Sequence, residues 1–352
     1  MAFSYYRSIT VDHTKCGTAD STNYPALIHL NNATFKTVGN GGHVQNSNAY
    51  DVGFFSDSLG TSPLPWDLFY YDGTNGEIYA FVKVGTLSHS VDNVLYVFYG
   101  DATISTYQST VSSVYNSDFK RVMHLNESAH PYHDVTSNAY DSTSTNDPTQ
   151  VAGKFGYAQS FVGGSSQGIT GMNHPAFAQS QITYSGWFKS STTNNISVVL
   201  DTRVNAGMSN GVLYVNNNVP SFYTNNVGPI AGSSGICDGN WHFMLCTAIS
   251  GTNMTLYIDG SSVASTGGSG AINNAGTCRV GESADVSPVF GTCVLQEVRQ
   301  LTVVVSTFWI TADYNSQSSP DTFITVGSEN SIGGGVVANP FGGVNPLRGY
   351  FS

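Results

Sequence analysis

This sequence is short of charge. Asp, Glu, Lys and Arg make up 10% of its 352 residues, against roughly 25% in an average globular chain. Positive charge is scarcest: 12 Lys and Arg stand against 23 Asp and Glu, a net charge of -11. No basic stripe can follow a phosphate backbone, which excludes nucleic acid as a partner. There are only five Glu (Glu77, Glu127, Glu282, Glu297 and Glu329), and none lies two residues from another acid in a strand-like run. Alternation along a strand would otherwise aim two carboxylates into one cleft, as glycoside hydrolysis requires. Glu282 and Asp285 in "GESAD" come nearest and suit a turn, so no enzyme is expected.

Five cysteines (Cys16, Cys237, Cys246, Cys278, Cys293) form no C-x-x-C pair and an odd set. That pattern excludes a zinc knuckle and a complete disulfide framework, leaving buried free thiols. The most apolar run, "LTVVVSTFWI" at 301–310, is far shorter than the roughly 20 residues that cross a bilayer. No membrane partner is expected, and "MAFSYYRSITVDHTK" carries no apolar export segment. Helical periodicity is confined to "STFWITADYNSQ" at 306–317.

What the chain does have is turn chemistry and strands. Hydrophobic residues reach 40% and aromatic ones 12%, enough apolar surface to fold. Short runs such as "YYRSITVD", "DLFYYD", "IYAFVKV" and "VLYVFYG" alternate or are bounded by Gly, Asn, Asp and Ser. In "DGNWHFMLCTAISGTNMTLYIDGSSVAST", Trp241, Phe243 and Leu245 share one face, and His242, Met244 and Cys246 the other. Met254, Leu256 and Ile258 repeat the pattern, and Asp259-Gly260 supplies a tight hairpin turn. His242 and Cys246 are expected in the core rather than in catalysis. The fold class expected is all-β: two tandem β-sandwich (jelly-roll) domains with an extended C-terminal tail. The divisions expected are a first sandwich at 1–107, a linker at 108–120, a jelly roll at 121–328 and a Gly/Pro-rich tail at 329–352.

Three patterns resemble sites. "HPYH" (His130, His133), with His124 upstream, could supply metal nitrogens, but no Cys or carboxylate cluster completes the set, so a solvated loop is expected. "GGSSQG" at 163–168 lacks the Lys and the helix of a phosphate cradle. Aromatic faces suit sugars, and Trp187, Tyr214, Phe222 and Tyr223 are the candidates. Alternation assigns Trp187 to the core and leaves Tyr214, Phe222 and Tyr223 as ligand-binding candidates.

Residues 5–102, through "YRSITVDHTK", "NYPALIHL", "DVGFFSDSLGTSPLPWDLFYYD" and "AFVKVGTLSHSVDNVLYVFYGD", resemble a domain of unknown function found in bacterial and archaeal surface proteins. Residues 121–327, through "VMHLNES", "GKFGYAQSFVGGSSQGI", "ITYSGWFK", "VGES" and "LQEVRQL", resemble the laminin-G or concanavalin-A-like family. That second resemblance implies a two-sheet jelly roll used for carbohydrate recognition, adhesion or architecture. It also implies a calcium site, but Val162 and Gln296 stand where two carboxylates would be, leaving Glu297. Calcium favours six to eight oxygen ligands, so calcium is the one cofactor to consider and its loss is expected.

The last segment, "GGGVVANPFGGVNPLRGYFS", has no period, and a peptide of this kind orders only against a partner. Pro340, Phe341, Pro346, Leu347, Arg348, Tyr350 and Phe351 are the expected docking anchors. The reading that joins surface-type modules to the absence of an export signal is a virion component made in the host cytoplasm. It would be a phage head decoration protein, fibre or tail adhesin, a homo-oligomer bound to other subunits through its tail, with glycan binding as a secondary property. The alternative is a secreted, lectin-like surface protein, and a polysaccharide hydrolase acting through Glu282 or Glu297 comes third.

Overall fold

The structure, a computed structural model, describes residues 3–143, 146–174, 180–203, 210–224, 227–272, 276–285 and 287–332. The fold is all-β, as the composition implies, with strands paired antiparallel in several sheets. No helix among the described residues is long and apolar enough to cross a membrane. The chain forms two compact units, one from Met1–Val114 and the described part of Asn315–Ser352, the other from Tyr115–Tyr314.

In the first unit the strands are β1 (Tyr5–Val11), β2 (Ser21–Asn31), β3 (Val52–Phe55), β4 (Trp66–Asp72), β5 (Glu77–Leu87) and β6 (Asn93–Tyr99). One sheet joins β1, β6 and β3, and a second runs β2-β5-β4. Ile9, Val11, Ile28, Phe54 and Val97 are wholly buried, as the alternating pattern requires of half-buried strands.

Two features differ from the expected division. Residues 107–109, assigned to the domain end and linker, hydrogen bond to the edge strand β4. The Tyr107 hydroxyl accepts from Leu68 N at 2.8 Å and donates to Trp66 O at 3.2 Å, and Ser109 Oγ accepts from Trp66 N at 2.9 Å. They supply an edge with partners it would otherwise lack. Further on, Ile324–Val326 and Asn330–Ser331, assigned to the jelly roll and the tail, both pair with β1.

The second unit contains β7 (Phe119–Met123), β8 (Thr149–Ala152), β9 (Tyr157–Phe161), β10 (Ile169–His174), β11 (Gln181–Lys189), β12 (Ile196–Asp201) and β13 (Gly211–Asn216). It continues with β14 (Val219–Thr224), β15 (Val227–Ala231), β16 (Trp241–Ile249), β17 (Asn253–Ile258), β18 (Ser261–Thr266), β19 (Gly276–Val280) and β20 (Cys293–Leu301). A six-stranded sheet runs β10-β19-β12-β13-β14-β15. An eight-stranded sheet runs β18-β17-β16-β11-β20-β9-β8, with β7 also on β20. One core holds Val199, Leu213, Val215 and Phe222 from the first sheet and Ile182, Phe188, Met244, Leu256 and Leu295 from the second. This is sandwich packing, each sheet burying one face against the other.

The 238–266 stretch is scaffold. Met244, Cys246, Met254, Leu256 and Ile258 enter that core, while Phe243 packs at a tilt against Trp187 and Tyr314 at ring separations of 5.3 and 6.3 Å. Asp259 and Gly260 both take positive φ, 50° and 78°, the turn that Asp-Gly favours. His242 is half-buried and bound to Asp259 and Asp238, so it lies at the edge of the core rather than within it. The helix predicted at 306–317 spans Thr307–Ser318. All five cysteines are buried thiols, and burial pushes Cys293 up to about 12.

Candidate functional site

Alternation on β13 and β14 sorts side chains between the core and the outer face of the six-stranded sheet. Leu213, Val215 and Phe222 point inward. Val212, Tyr214 and Tyr223 therefore face outward, with Tyr223 opposite Val212 and Tyr214 opposite both Ser221 and Val198. These side chains line a cavity of about 270 Å³ together with Ile196, Arg203, Pro229, Ser283, Asp285 and Val289. Tyr214 and Tyr223 are thus brought together as candidates. Phe222 is wholly buried in the sandwich core and is corrected from ligand contact to core, because it has the opposite parity to its neighbour.

Arg203 and Asp201 were not anticipated, and Asp285 was expected only as a turn residue. Asp201 closes β12 with no exposure. Its Oδ1 accepts from Arg203 N at 2.9 Å and Nε at 3.0 Å, and its Oδ2 accepts from Nη2 at 2.6 Å. Asp285 Oδ2 lies 3.4 Å from the same Nη2. The fixed guanidinium lies over the Tyr223 ring, 5.8 Å from its centre, a cation–π geometry. Burial works against its charge, but Asp201 and Asp285 outweigh that and raise its pKa.

Hydrogen bonds to the Asp201 and Ser283 side chains help to hold Ala284 and Val289 beside the cavity. Asp201 Oδ2 accepts from Ala284 N at 2.8 Å, Ser283 Oγ accepts from Val289 N at 2.9 Å, and Ser283 N donates to Val289 O at 3.1 Å. Burial holds the Tyr214 phenol above its ordinary pKa, with Ser221 and Arg203 opposing, so it is protonated at neutral pH and can donate. The cavity therefore offers two aromatic rings, a fixed cation, a carboxylate and a hydroxyl over an aliphatic floor.

The other sequence candidates separate. Glu297, retained as a calcium ligand, is fully buried, with His124 Nδ1 at 2.6 Å from Oε2 and Arg299 Nε at 2.7 Å from Oε1. Oε1 faces the Arg299 guanidinium and Oε2 the His124 ring, so Glu297 belongs to a buried network rather than to an open calcium site. Glu282 pairs with Arg279 at 3.8 Å beside the six-stranded sheet, whereas Glu297 belongs to β20 of the eight-stranded one. His124, His130 and His133 each bind a different carboxylate, Glu297, Asp147 and Asp141, and do not converge on a metal. Trp187 is core, with the Lys154 ammonium 4.6 Å from its ring centre. Pro340, Phe341, Pro346, Leu347, Arg348, Tyr350 and Phe351 lie outside the described residues.

One acidic group escaped the sequence reading. Asp12, His13 and Asp92 gather in the first unit, but Asp12 Oδ1 accepts from Thr14 N and Oγ1, and Asp92 Oδ1 lies 2.7 Å from His13 Nδ1. Turn capping and an ion pair account for them.

No curated protein matches the sequence. Among solved structures, the chain is similar to the binding domain of botulinum neurotoxin DC in complex with SialylT, at 14% identity and a TM-score of 0.44, covering 57% of this chain and 52% of that one. The binding domain of Paraclostridial Mosquitocidal Protein 1 is similar at 11% identity and a TM-score of 0.47, covering 57% and 53%. The chain spans about half the length of these structures. Residues 163–311, which include every cavity-lining side chain, match the laminin-G-type model of the concanavalin A-like lectin/glucanases superfamily.

Proposed function

We propose that the second unit is a non-enzymatic saccharide-binding module whose ligand enters the cavity of Tyr214, Tyr223, Arg203 and Asp285. The observation that carries this reading is the meeting of two outward tyrosines with a fixed Arg–Asp pair in one concavity. Aromatic rings stack on the C–H face of a sugar while charged and hydroxyl groups hold its hydroxyls. The superfamily match covers all of these residues. Binding rather than hydrolysis is favoured because Asp285 is the only carboxylate among the described lining residues, and glycosidic cleavage takes two.

The test is a glycan array followed by titration of hits against the intact chain and Tyr214→Ala. Saturable binding lost in the variant supports the reading. An array with no selective hit overturns it.

A second proposal concerns attachment. Asn330–Ser331 pairs with β1, and Ile332, the last described residue, packs against the buried aromatic cluster of Phe3, Phe55 and Phe98. The Pro, Phe, Leu and Tyr residues of 333–352 suit docking on another subunit of a virion or similar assembly. Loss of assembly on deleting 333–352 is the test.

A further inference from the structure

We infer that the cavity selects a neutral saccharide carrying a methyl group, an N-acetylhexosamine or a 6-deoxyhexose, over plain hexoses and over carboxylated sugars. This deepens, and rests on, the saccharide-binding reading.

The first argument is the lining. Ile196, Val198, Val212, Pro229 and Val289 supply five aliphatic surfaces, against Arg203, Asp285, Ser283 and two tyrosine hydroxyls as polar groups. A plain hexose carries hydroxyls around most of its rim, and any of them turned toward this floor would lose water without gaining a partner. An acetamido or C6 methyl turned the same way gains burial instead. Val198 and Val212 are nearly covered, so Ile196, Pro229 and Val289 are the aliphatic side chains that a ligand methyl can reach. Arg203, Asp285 and the tyrosine hydroxyls remain to take the ring hydroxyls.

Charge is the second argument. Arg203 is the only cation among the described lining residues, and it is held by Asp201 at 2.6 Å and faces Asp285 at 3.4 Å. One positive and two negative groups leave that wall with an excess negative charge. A sugar carboxylate reaching for the guanidinium would meet the Asp285 carboxylate, and the chain as a whole is acidic at -11. Like charge at short range weakens binding, less so as salt rises.

Size is the third. At about 270 Å³ the cavity is just below the range of ligand sites, roughly 300–1,000 Å³, and suits one terminal residue rather than an internal stretch of polymer.

The experiment is ligand-observed NMR titration of the full chain with free sugars. N-acetylglucosamine, N-acetylgalactosamine, L-fucose and L-rhamnose form the methyl-bearing set, glucose and galactose the plain set, and N-acetylneuraminic and glucuronic acids the charged set. The expected result is that at least one methyl-bearing neutral sugar binds about fourfold or more tighter than both plain hexoses, the effect of burying one methyl. The charged set should bind more weakly than that sugar. The half-exposed Val289→Thr, which places a hydroxyl in the aliphatic wall at unchanged shape, should erase most of the preference while keeping the melting temperature. Plain hexoses binding as tightly, or acids binding tighter, would overturn this inference and leave saccharide binding standing. If no sugar of any set binds, the functional reading falls, and this inference with it.

Discussion

Asp201 grips Arg203 two residues ahead of it, with Oδ2 2.6 Å from Nη2 and Oδ1 3.0 Å from Nε. The same carboxylate accepts from Ala284 N at 2.8 Å, so one buried group sets both the cation and the loop that wall the cavity. Asp201→Asn keeps the shape and removes the charge, leaving Arg203 with only the more distant Asp285. Removing one partner of a buried pair costs about 3–5 kcal/mol, and Arg203 keeps some access to water, so a loss of about 3 kcal/mol in urea denaturation is expected. Saccharide binding should disappear with it. An unchanged denaturation midpoint would show that the pair does not organise the site.

Phe222 and Tyr223 are neighbours with opposite duties. Phe222→Ala opens a cavity in the sandwich core and should cost about 3–5 kcal/mol. Tyr223→Ala, on the outer face, loses its contact with Arg203 and should cost only about 1 kcal/mol, yet lower saccharide affinity at least tenfold. Paired measurements of stability and affinity check the contrast. Similar stability losses in the two variants would contradict the assigned parity.

Alternation made this much of the protein legible. It sorted Trp241–Cys246 and Met254–Ile258 correctly because those strands are regular, and Asp259-Gly260 announced its turn through chemistry that few other pairs share. It could not separate Phe222, which is core, from Tyr214 and Tyr223, which face outward, since parity along β14 depends on where the hairpin with β13 places its register. Arg203 and Asp201 were invisible for another reason: their value lies in meeting Asp285 and Ala284, more than eighty residues away. The surroundings of Glu297 were not legible because β20 carries an irregularity. Its partners on β11 shift between Ser185 and Trp187, and Glu297 takes a positive φ of 53°. Leu295 and Val298, three apart rather than two, both enter the core, and Glu297 turns toward His124 and Arg299. A bulge leaves no mark in composition or period.

The buried network predicts acid sensitivity. Burial alone would raise the Glu297 pKa, but His124 and Arg299 overcome it and hold it below the ordinary 4.5. A depressed folded value gives stability that is complete above the unfolded value and lost as pH falls through the folded one. Unfolding of the second unit should therefore become easier below about pH 4.5 in the intact protein and show a weaker trend in Glu297→Gln. That variant is expected to lose about 3 kcal/mol at neutral pH. Added calcium should leave the melting temperature of the intact chain unchanged, and a calcium-dependent rise abolished by the variant would restore Glu297 as a ligand.

His242 predicts the opposite trend. Its Nδ1 is 2.7 Å from Asp259 Oδ2 and its Nε2 3.2 Å from Asp238 Oδ1. The hydrogen bond and charge of Asp259 raise its pKa above 6.5 against partial burial. A raised folded value contributes stability fully present below the unfolded pKa and lost as pH rises through the folded one. Thermal melts of the intact chain should decline from about pH 6.5 upward, and His242→Gln should flatten that decline. An NMR titration placing the His242 midpoint at or below 6.5 would remove its cause.

The C-terminal boundary gives the last test, because two truncations only a few residues apart should behave differently. Ile332 N donates to Ser4 O at 2.8 Å, Asn330–Ser331 pairs with Tyr5 and Tyr6, and Ile324–Val326 pairs with Ile9–Val11. Deleting 333–352 keeps every one of these bonds, so the melting temperature should stay within about 1 °C while incorporation into a larger assembly is lost. Deleting 324–352 uncovers the outer edge of β1 and the apolar face beneath it, and should lower the melting temperature by about 5 °C or more. The shorter deletion separates folding from docking. If it assembles normally the tail is no docking segment, and if it melts early the sequence beyond Ile332 contributes to the fold itself.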